Sequence, residues 1–266
     1  MSEQLIIAGF HRSGTSLTAQ LLAHAGLFLG ERLLEEDLSN KYGHFEDVEV
    51  KNLHGQILSD CGLDWRVTGP VLPVVTDRVW SRIEHLVEKR CAEHRLWGFK
   101  DPRACLFLPI WKYMLPDAKV LAVYRNVADS THSLKKRHST QMFSNSGPSA
   151  VHRSFFENPD LAPRMWLAHN REILTFASHY PEDTMVVSLD MIQDAFPLVW
   201  ALNKRWHLGL RDVSAFEVFD AQAISSERRK SPVRNRDLAD EVDAVERELE
   251  RLSSNTEAML TIGDQS

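Results

Sequence analysis

Short apolar runs alternate along this chain with longer segments in which apolar residues recur at helical spacing. The runs that are typical of buried strands in a parallel sheet are residues 5–8, 96–99, 119–124 and 184–189. Segments with the periodicity of an amphipathic helix are residues 17–23, 77–94, 127–136, 163–179 and 237–252. Because strands and helices alternate, the pattern predicts an α/β protein whose central parallel sheet is flanked by helices.

Two polar stretches interrupt this pattern. Residues 139–160 are rich in Ser, Asn, Gly and Pro with interspersed Phe, which predicts either a mobile loop that closes over a substrate or a small separate cluster of phenylalanines. The chain ends in a polar tail, residues 253–266, for which we expect frayed structure. We therefore expect one domain over residues 1–252, whose last helix could also form a homodimer contact.

The segment between the first strand and the first helix has the architecture of an anion site. Its sequence is Gly9-Phe10-His11-Arg12-Ser13-Gly14-Thr15-Ser16. In a strand–turn–helix unit, backbone N–H groups and the positive end of the helix dipole converge on one small volume, which an anion can fill. The two glycines have the spacing of a nucleotide P-loop, but Thr15 follows the second glycine and the cation is Arg12. The sequence thus predicts phosphate binding without the usual P-loop lysine.

Two further groups of polar residues follow later strands. Lys100-Asp101-Pro102-Arg103 comes directly after the second strand, and Arg125 follows the third, eight residues before Ser133. Catalytic and binding groups in open parallel sheets gather at the carboxyl ends of the strands. We therefore expect Lys100 and Arg125 to lie beside the glycine-bounded loop. An arginine eight residues before a serine is common and by itself says little about a ligand.

These motifs resemble those of sulfotransferases that use 3′-phosphoadenosine 5′-phosphosulfate (PAPS), in the same order over roughly residues 5–232. The resemblance implies a P-loop-like, three-layer fold. It implies that a 5′-phosphosulfate group is held by Arg12, Ser13, Gly14, Thr15 and Ser16.

The same resemblance implies roles for residues outside the loop. Lys100 would stabilise the sulfuryl group during transfer, and Arg125 and Ser133 would hold the 3′-phosphate. A late basic loop closes over that phosphate in these enzymes, which makes Arg228 and Arg229 candidates, although the Arg-Lys-Gly triplet of the cytosolic branch is absent here.

The general base is left open by the sequence. Gly43-His44-Phe45-Glu46 is similar to the Gly-Tyr-Phe-Glu stretch of bacterial sulfotransferases, with His44 in place of the aromatic residue. A carboxylate near the loop could take the proton of an acceptor alcohol, so Glu46 is the first candidate. His44, Glu31 and His11 are the alternatives. Glu46 could instead cap the next helix or pair with a lysine.

Composition limits the kinds of molecule that this protein can be expected to bind and the compartment in which it works. The chain has 266 residues, 43% of them hydrophobic, and a net charge of −6, which supports a sizeable core and argues against general nucleic-acid binding. Three widely spaced cysteines, Cys61, Cys91 and Cys105, predict reduced thiols. No run approaches the roughly 20 apolar residues of a membrane span, and the loop begins at Gly9, so we expect no signal peptide and a cytoplasmic protein.

The sequence therefore predicts in-line transfer of a sulfuryl group from PAPS to a hydroxyl or amine, without a metal, leaving adenosine 3′,5′-bisphosphate. The expected acceptor is a small molecule, carbohydrate or lipid. Two alternatives stay open: a P-loop kinase, for which Asp101 would help to hold magnesium, and a non-catalytic protein that binds PAPS or another nucleotide.

Overall fold

A computed structural model of the chain describes residues 2–34, 44–143, 149–215 and 233–261. Over these residues four strands form one parallel sheet in the order β2-β1-β3-β4. The strands are β1 (Glu3–Ala8), β2 (Leu96–Lys100), β3 (Lys119–Tyr124) and β4 (Thr184–Ser188). In the register, Ile7 pairs with Lys100 and Leu121, and Tyr124 pairs with Ser188. The carboxyl ends of the strands therefore share one edge of the sheet.

Ten α-helices surround this sheet in the described residues. They are α1 (Thr15–His24), α2 (Val48–Asp60), α3 (Asp77–Glu93), α4 (Leu108–Met114), α5 (Val127–Phe143), α6 (Ser149–Glu157), α7 (Leu161–His179), α8 (Leu189–Gln193), α9 (Leu198–Trp206) and α10 (Arg236–Thr261). Short 3-10 helices cover Pro102–Phe107 and Pro181–Asp183.

The two faces of the sheet bury separate apolar clusters, because successive strand residues point to opposite sides. Ile6 and Phe99 lie in the cluster shared with α2, α3, α5, α7 and α10. Leu5 and Val123 lie in the cluster shared with α1, α8 and α9. The result is a helix–sheet–helix arrangement of three layers, which confirms the α/β architecture predicted from the alternation of apolar runs.

Helices begin where the sequence has a capping residue or a proline suited to the first turn. The helix predicted over residues 77–94 is α3, which begins at Asp77, and the hydroxyl of Thr76 accepts a hydrogen bond from Val79 N as its N-cap. Pro109 stands in the first turn of α4, the position that a residue without an N–H tolerates.

Two predictions about polar stretches are wrong in their secondary structure. The predicted loop at residues 139–160 contains the last turn of α5 and the whole of α6, because Phe155 packs on the apolar core, which composition does not reveal. The predicted frayed tail after residue 252 continues α10 to Thr261. Ser253 and Thr256 are buried there, so tertiary packing extends that helix.

In the parts of the chain described here, no helix is long and apolar enough to cross a membrane.

Candidate functional site

The loop from Gly9 to Gly14 turns sharply between β1 and α1. Arg12 has φ 66° and Gly14 has φ 93°, both in the left-handed region, and Gly14 is the N-cap of α1. The N–H of Ser13 donates to the carbonyl of Phe10 at 3.2 Å. Gly9 lies so close to β3 that a Cβ atom there would stand 2.2 Å from the carbonyl oxygen of Val123. The second glycine of the motif supplies conformational freedom and the first permits close approach.

The interior of this loop has an unsatisfied polar atom. Ser13 is fully buried, and within the described ranges its Oγ has no hydrogen-bond partner. Burial of a hydroxyl without a hydrogen bond costs free energy, so Ser13 Oγ is suited to bond a ligand or a water in this loop. Together with the N-terminus of α1, it makes the loop a suitable cradle for an anion.

Arg12 and Ser133 meet, although they stand on different elements. The Nε atom of Arg12 donates to the hydroxyl oxygen of Ser133 in α5 at 3.0 Å. The hydroxyl of Ser133 keeps its own hydrogen, which can be donated to a further acceptor. The predicted 5′- and 3′-phosphate residues therefore border one continuous polar region.

Arg125 lies at the carboxyl end of β3, next to this region. Its guanidinium is 4.0 Å from Oδ2 of Asp129, and the two side chains are 10% and 5% exposed. The indole N–H of Trp166 donates to the carbonyl of Arg125 at 3.0 Å, which fixes the backbone at the strand end. The candidates Arg228 and Arg229 lie outside the described residues.

Lys100 and Glu46, the predicted stabilising cation and base, form an ion pair. The Nζ atom of Lys100 donates to Oε1 of Glu46 at 2.9 Å, and their side chains are 2% and 13% exposed. Lys100 reaches this place from the end of β2, whereas Glu46 precedes α2. Asp47, not Glu46, caps α2 by accepting from Glu49 N at 2.8 Å. Of the two alternative roles for Glu46, capping is thus wrong and pairing with a lysine is observed, with the lysine of the candidate site itself.

The three other base candidates differ in their positions. Glu31 is an exposed residue that pairs with Lys89 on the surface. His44 lines the same cleft as Glu46, and its carbonyl accepts from the hydroxyl of Ser16 at 3.2 Å. His11 also lines the cleft, but burial, followed by the nearby His169, holds its pKa well below 6.5. A neutral His11 with so low a pKa is a poor proton acceptor.

The cleft has a volume of about 510 Å³ and lies between the loop, α2, α5 and α6. Trp65 forms one wall; its ring stacks at 5.7 Å on that of His138. The Nδ1 atoms of His138 and His152 are 2.8 Å apart. Sequence reasoning missed these three residues, because scattered histidines and a lone tryptophan give no local signal of a shared wall.

Asp101 organises the floor of the cleft. Its two carboxylate oxygens accept from Nε and NH2 of Arg103 at 2.9 and 2.5 Å, and Nδ1 of His54 is 3.2 Å from Oδ2. The indole of Trp111 donates to Nε2 of His54 at 2.8 Å, so the remaining proton of a neutral His54 is on Nδ1, facing Asp101. Burial alone would raise the pKa of Asp101, but Arg103 and His54 hold it well below its usual range. Asp101 therefore positions Arg103.

A parallel sheet with a glycine-bounded loop between its first strand and the following helix defines a P-loop-like α/β protein. The chain is similar to the crystal structure of a sulfotransferase from Alicyclobacillus acidocaldarius, with a TM-score of 0.52 and 16% identity over 97% of this chain and 96% of that one. The chain thus has the fold of a sulfotransferase, as the motifs predicted.

Two other solved structures show a weaker likeness. Sulfotransferase STF1 from Mycobacterium tuberculosis H37Rv has a TM-score of 0.46 and 15% identity over 84% of this chain and 75% of that one. Retinol dehydratase in a complex with retinol and PAP has a TM-score of 0.37 and 13% identity over 81% of this chain and 62% of that one. No protein-family model and no curated protein sequence matches the chain.

Proposed function

We propose that this protein is a sulfotransferase that moves a sulfuryl group from PAPS to a hydroxyl or amine of an acceptor bound in the cleft. The observation that carries the proposal is the contact between Lys100 and Glu46 beside the anion loop. It sets a buried cation and a carboxylate next to each other at the carboxyl edge of the sheet, where in-line transfer needs a stabiliser of negative charge and a base.

The residues around the loop fit the donor. The N–H groups of residues 13–16, the buried hydroxyl of Ser13 and the guanidinium of Arg12 would hold the 5′-phosphosulfate. The hydroxyl of Ser133 and the guanidinium of Arg125 would hold the 3′-phosphate, since Arg125 directly follows β3 and Ser133 in α5 contacts Arg12 of the loop. PAPS supplies a sulfuryl group bonded to a phosphate oxygen, which is a good leaving group.

Glu46 would take the proton of the acceptor hydroxyl while the acceptor oxygen forms its bond to sulfur. The bond between sulfur and the 5′-phosphate oxygen breaks in the same step, and its electron pair stays on that oxygen, so that adenosine 3′,5′-bisphosphate leaves. Lys100 and Arg12 would stabilise the negative charge that spreads over the transferring oxygens. Lys100 donates to Oε1 of Glu46 at 2.9 Å, and Oε2 would receive the proton.

The kinase alternative fits less well. It needs a carboxylate at a strand end to hold magnesium, whereas both oxygens of Asp101 accept hydrogen bonds from Arg103. Binding magnesium there would require that pair to break.

The proposal is tested by calorimetric titration of the protein with adenosine 3′,5′-bisphosphate in the presence of a chelator. We expect metal-free binding that Arg125→Ala weakens by about 2 kcal/mol, or about 30-fold, the scale of a lost charge-assisted contact. Arg78→Ala is the matched control, because Arg78 is an exposed residue of α3. Binding of ATP with magnesium but not of the bisphosphate would refute the proposal in favour of a kinase.

A transfer assay then separates an enzyme from a non-catalytic binder. PAPS labelled in the sulfuryl group is incubated with acceptor panels of small alcohols, sugars and lipids. Transfer of the label to an acceptor supports the enzyme. Binding of PAPS without transfer of the label to any acceptor favours the non-catalytic alternative.

A further inference from the structure

The cleft beside Glu46 has cationic side chains on two different helices. Lys51 extends from α2 and Arg137 from α5, and both line the cleft. Because the two helices belong to separate parts of the chain, a molecule in the cleft would meet positive charge from both of them.

The carboxylates of the cleft already have cationic partners. Glu46 pairs with Lys100, and Asp101 pairs with Arg103. Besides these carboxylates, the lining includes three cationic residues, Lys51, Arg103 and Arg137. The cleft-lining residues that the structure describes therefore have more positive than negative charge, in a protein whose net charge is −6.

The position of Arg137 is set by helix geometry. Ser133 faces Arg12 of the loop, and residues four apart lie on the same helix face, so Arg137 follows Ser133 along the side of α5 that borders the site. Arg137 is the last residue of a basic run, Lys135-Lys136-Arg137, whose other two members have different surroundings. Lys136 is exposed, and Lys135 donates to the carbonyl of Pro159 at 2.8 Å. Arg137 is thus the member of the run that lines the cleft.

The wall of the cleft also offers unused hydrogen-bonding atoms. The Nε2 atoms of His11 and His138 are buried, and neither has a hydrogen-bond partner in the described portion of the chain. Buried polar atoms normally have partners, so these two point to polar groups of a ligand or to ordered water. A purely apolar acceptor would leave both atoms unsatisfied.

We propose that the acceptor is a hydroxylated small molecule that also has an acidic group, bound with its acid between Lys51 and Arg137 and its reacting hydroxyl at Glu46. The acid can be a carboxylate, a phosphate or a sulfate, since all three are oxyanions that lysine and arginine bind. This inference rests on the proposed function, because it specifies the acceptor of that reaction.

The test is calorimetric titration of the protein, saturated with adenosine 3′,5′-bisphosphate, with pairs of probes that differ in the acidic group. The pairs are glucuronate against glucose, 4-hydroxybenzoate against 4-hydroxybenzyl alcohol, and glucose 6-phosphate and glucose 6-sulfate against glucose. We expect at least one acid to bind about tenfold more tightly than its neutral partner, the scale of one charge-assisted contact. The pair that shows this preference identifies the kind of acid.

Substitutions in the cleft test whether Lys51 and Arg137 cause the tighter binding of the acid. Lys51→Ala and Arg137→Ala should each reduce it to about threefold or less, and Lys51→Gln, which keeps a polar side chain, should do the same. Lys136→Ala is the control, because it removes an equal charge from the neighbouring residue of α5. This variant should still bind the acid more tightly than the neutral probe. Raising the salt concentration should weaken binding of the acid but not of the neutral probe.

The outcomes separate this inference from the proposed function. Neutral probes that bind as tightly as the acids, no binding of any acid, or a preference that survives in the Lys51→Ala/Arg137→Ala double variant would overturn the acidic acceptor while leaving bisphosphate binding intact. Failure of the bisphosphate to bind, with an acid still bound through Lys51 and Arg137, would refute the proposed donor and support the anion site.

Discussion

The fold and the loop at residues 9–16 both depend on the absence of a side chain at Gly9. A Cβ atom at Gly9 would stand 2.2 Å from the carbonyl oxygen of Val123 and 2.6 Å from Cγ2 of Thr15. Comfortable heavy-atom contacts lie at about 3.5–4.0 Å, so Gly9→Ala requires β1 and β3 to separate by roughly an ångström. The first of these atoms belongs to the backbone of the neighbouring strand, and no rotamer change can remove it.

The cost follows from what that movement disturbs. β1 and β3 are hydrogen-bonded up to the pair Ala8 and Ala122, directly before Gly9. Overpacking costs about 1–3 kcal/mol, and weakening one or two backbone hydrogen bonds adds about 1 kcal/mol. We therefore expect Gly9→Ala to lower the free energy of unfolding by about 2–4 kcal/mol. It should also weaken binding of adenosine 3′,5′-bisphosphate, because β3 leads into Arg125.

Equilibrium urea denaturation measures the first effect, and calorimetry on the folded protein measures the second. Gly69→Ala is the matched control: no atom lies within 4 Å of a Cβ placed there, so its unfolding free energy should change by less than about 1 kcal/mol. The reasoning is refuted if Gly9→Ala is as stable as Gly69→Ala and binds the bisphosphate equally well.

Two further predictions concern proton transfer and pH. Glu46→Gln should reduce the rate of sulfuryl transfer by about 10²–10⁴-fold, because it removes the proton acceptor, while the affinity for the bisphosphate measured by calorimetry changes little; a rate within threefold of the wild type would exclude Glu46 as the base. Burial lowers the pKa of His138 and of His169 to about 4, against 6.5 for an ordinary histidine. The unfolded chain then binds more protons between these values, so the free energy of unfolding should fall as the pH is lowered from 6.5 towards 4. Urea unfolding at several pH values tests this, and His169→Gln should show a shallower dependence; an identical slope would contradict the assignment.

Much of the fold could be predicted from the sequence because its signals are local. Residues 119–124 were predicted as a strand and form β3 with the same bounds, since a short run of apolar residues is typical of a strand buried on both faces. Residues 77–94 were predicted as a helix from the spacing of their apolar residues, and α3 covers Asp77–Glu93.

The end of α5 and all of α6 could not be predicted locally. Residues 139–160 have the composition of a loop, yet α6 forms because Phe155 is 1% exposed and packs on the core. Whether a weakly helical segment folds as a helix depends on the surface that it can bury, and that surface comes from other parts of the chain.

The candidate site also has parts that could be predicted from the sequence and parts that depend on tertiary structure. The sequence by itself determined the strand–turn–helix loop at residues 9–16, because strand, glycine spacing and helix are contiguous, and it placed Lys100 and Arg125 at strand ends. Only the tertiary structure joined Lys100 to Glu46, 54 residues away, and Arg12 to Ser133, 121 residues away. It also decided that Lys51 and Arg137 face one cleft. Parallel strands need long crossover connections, so the residues that meet at their shared edge are distant in sequence, and the packing of the connecting helices decides which of them come into contact.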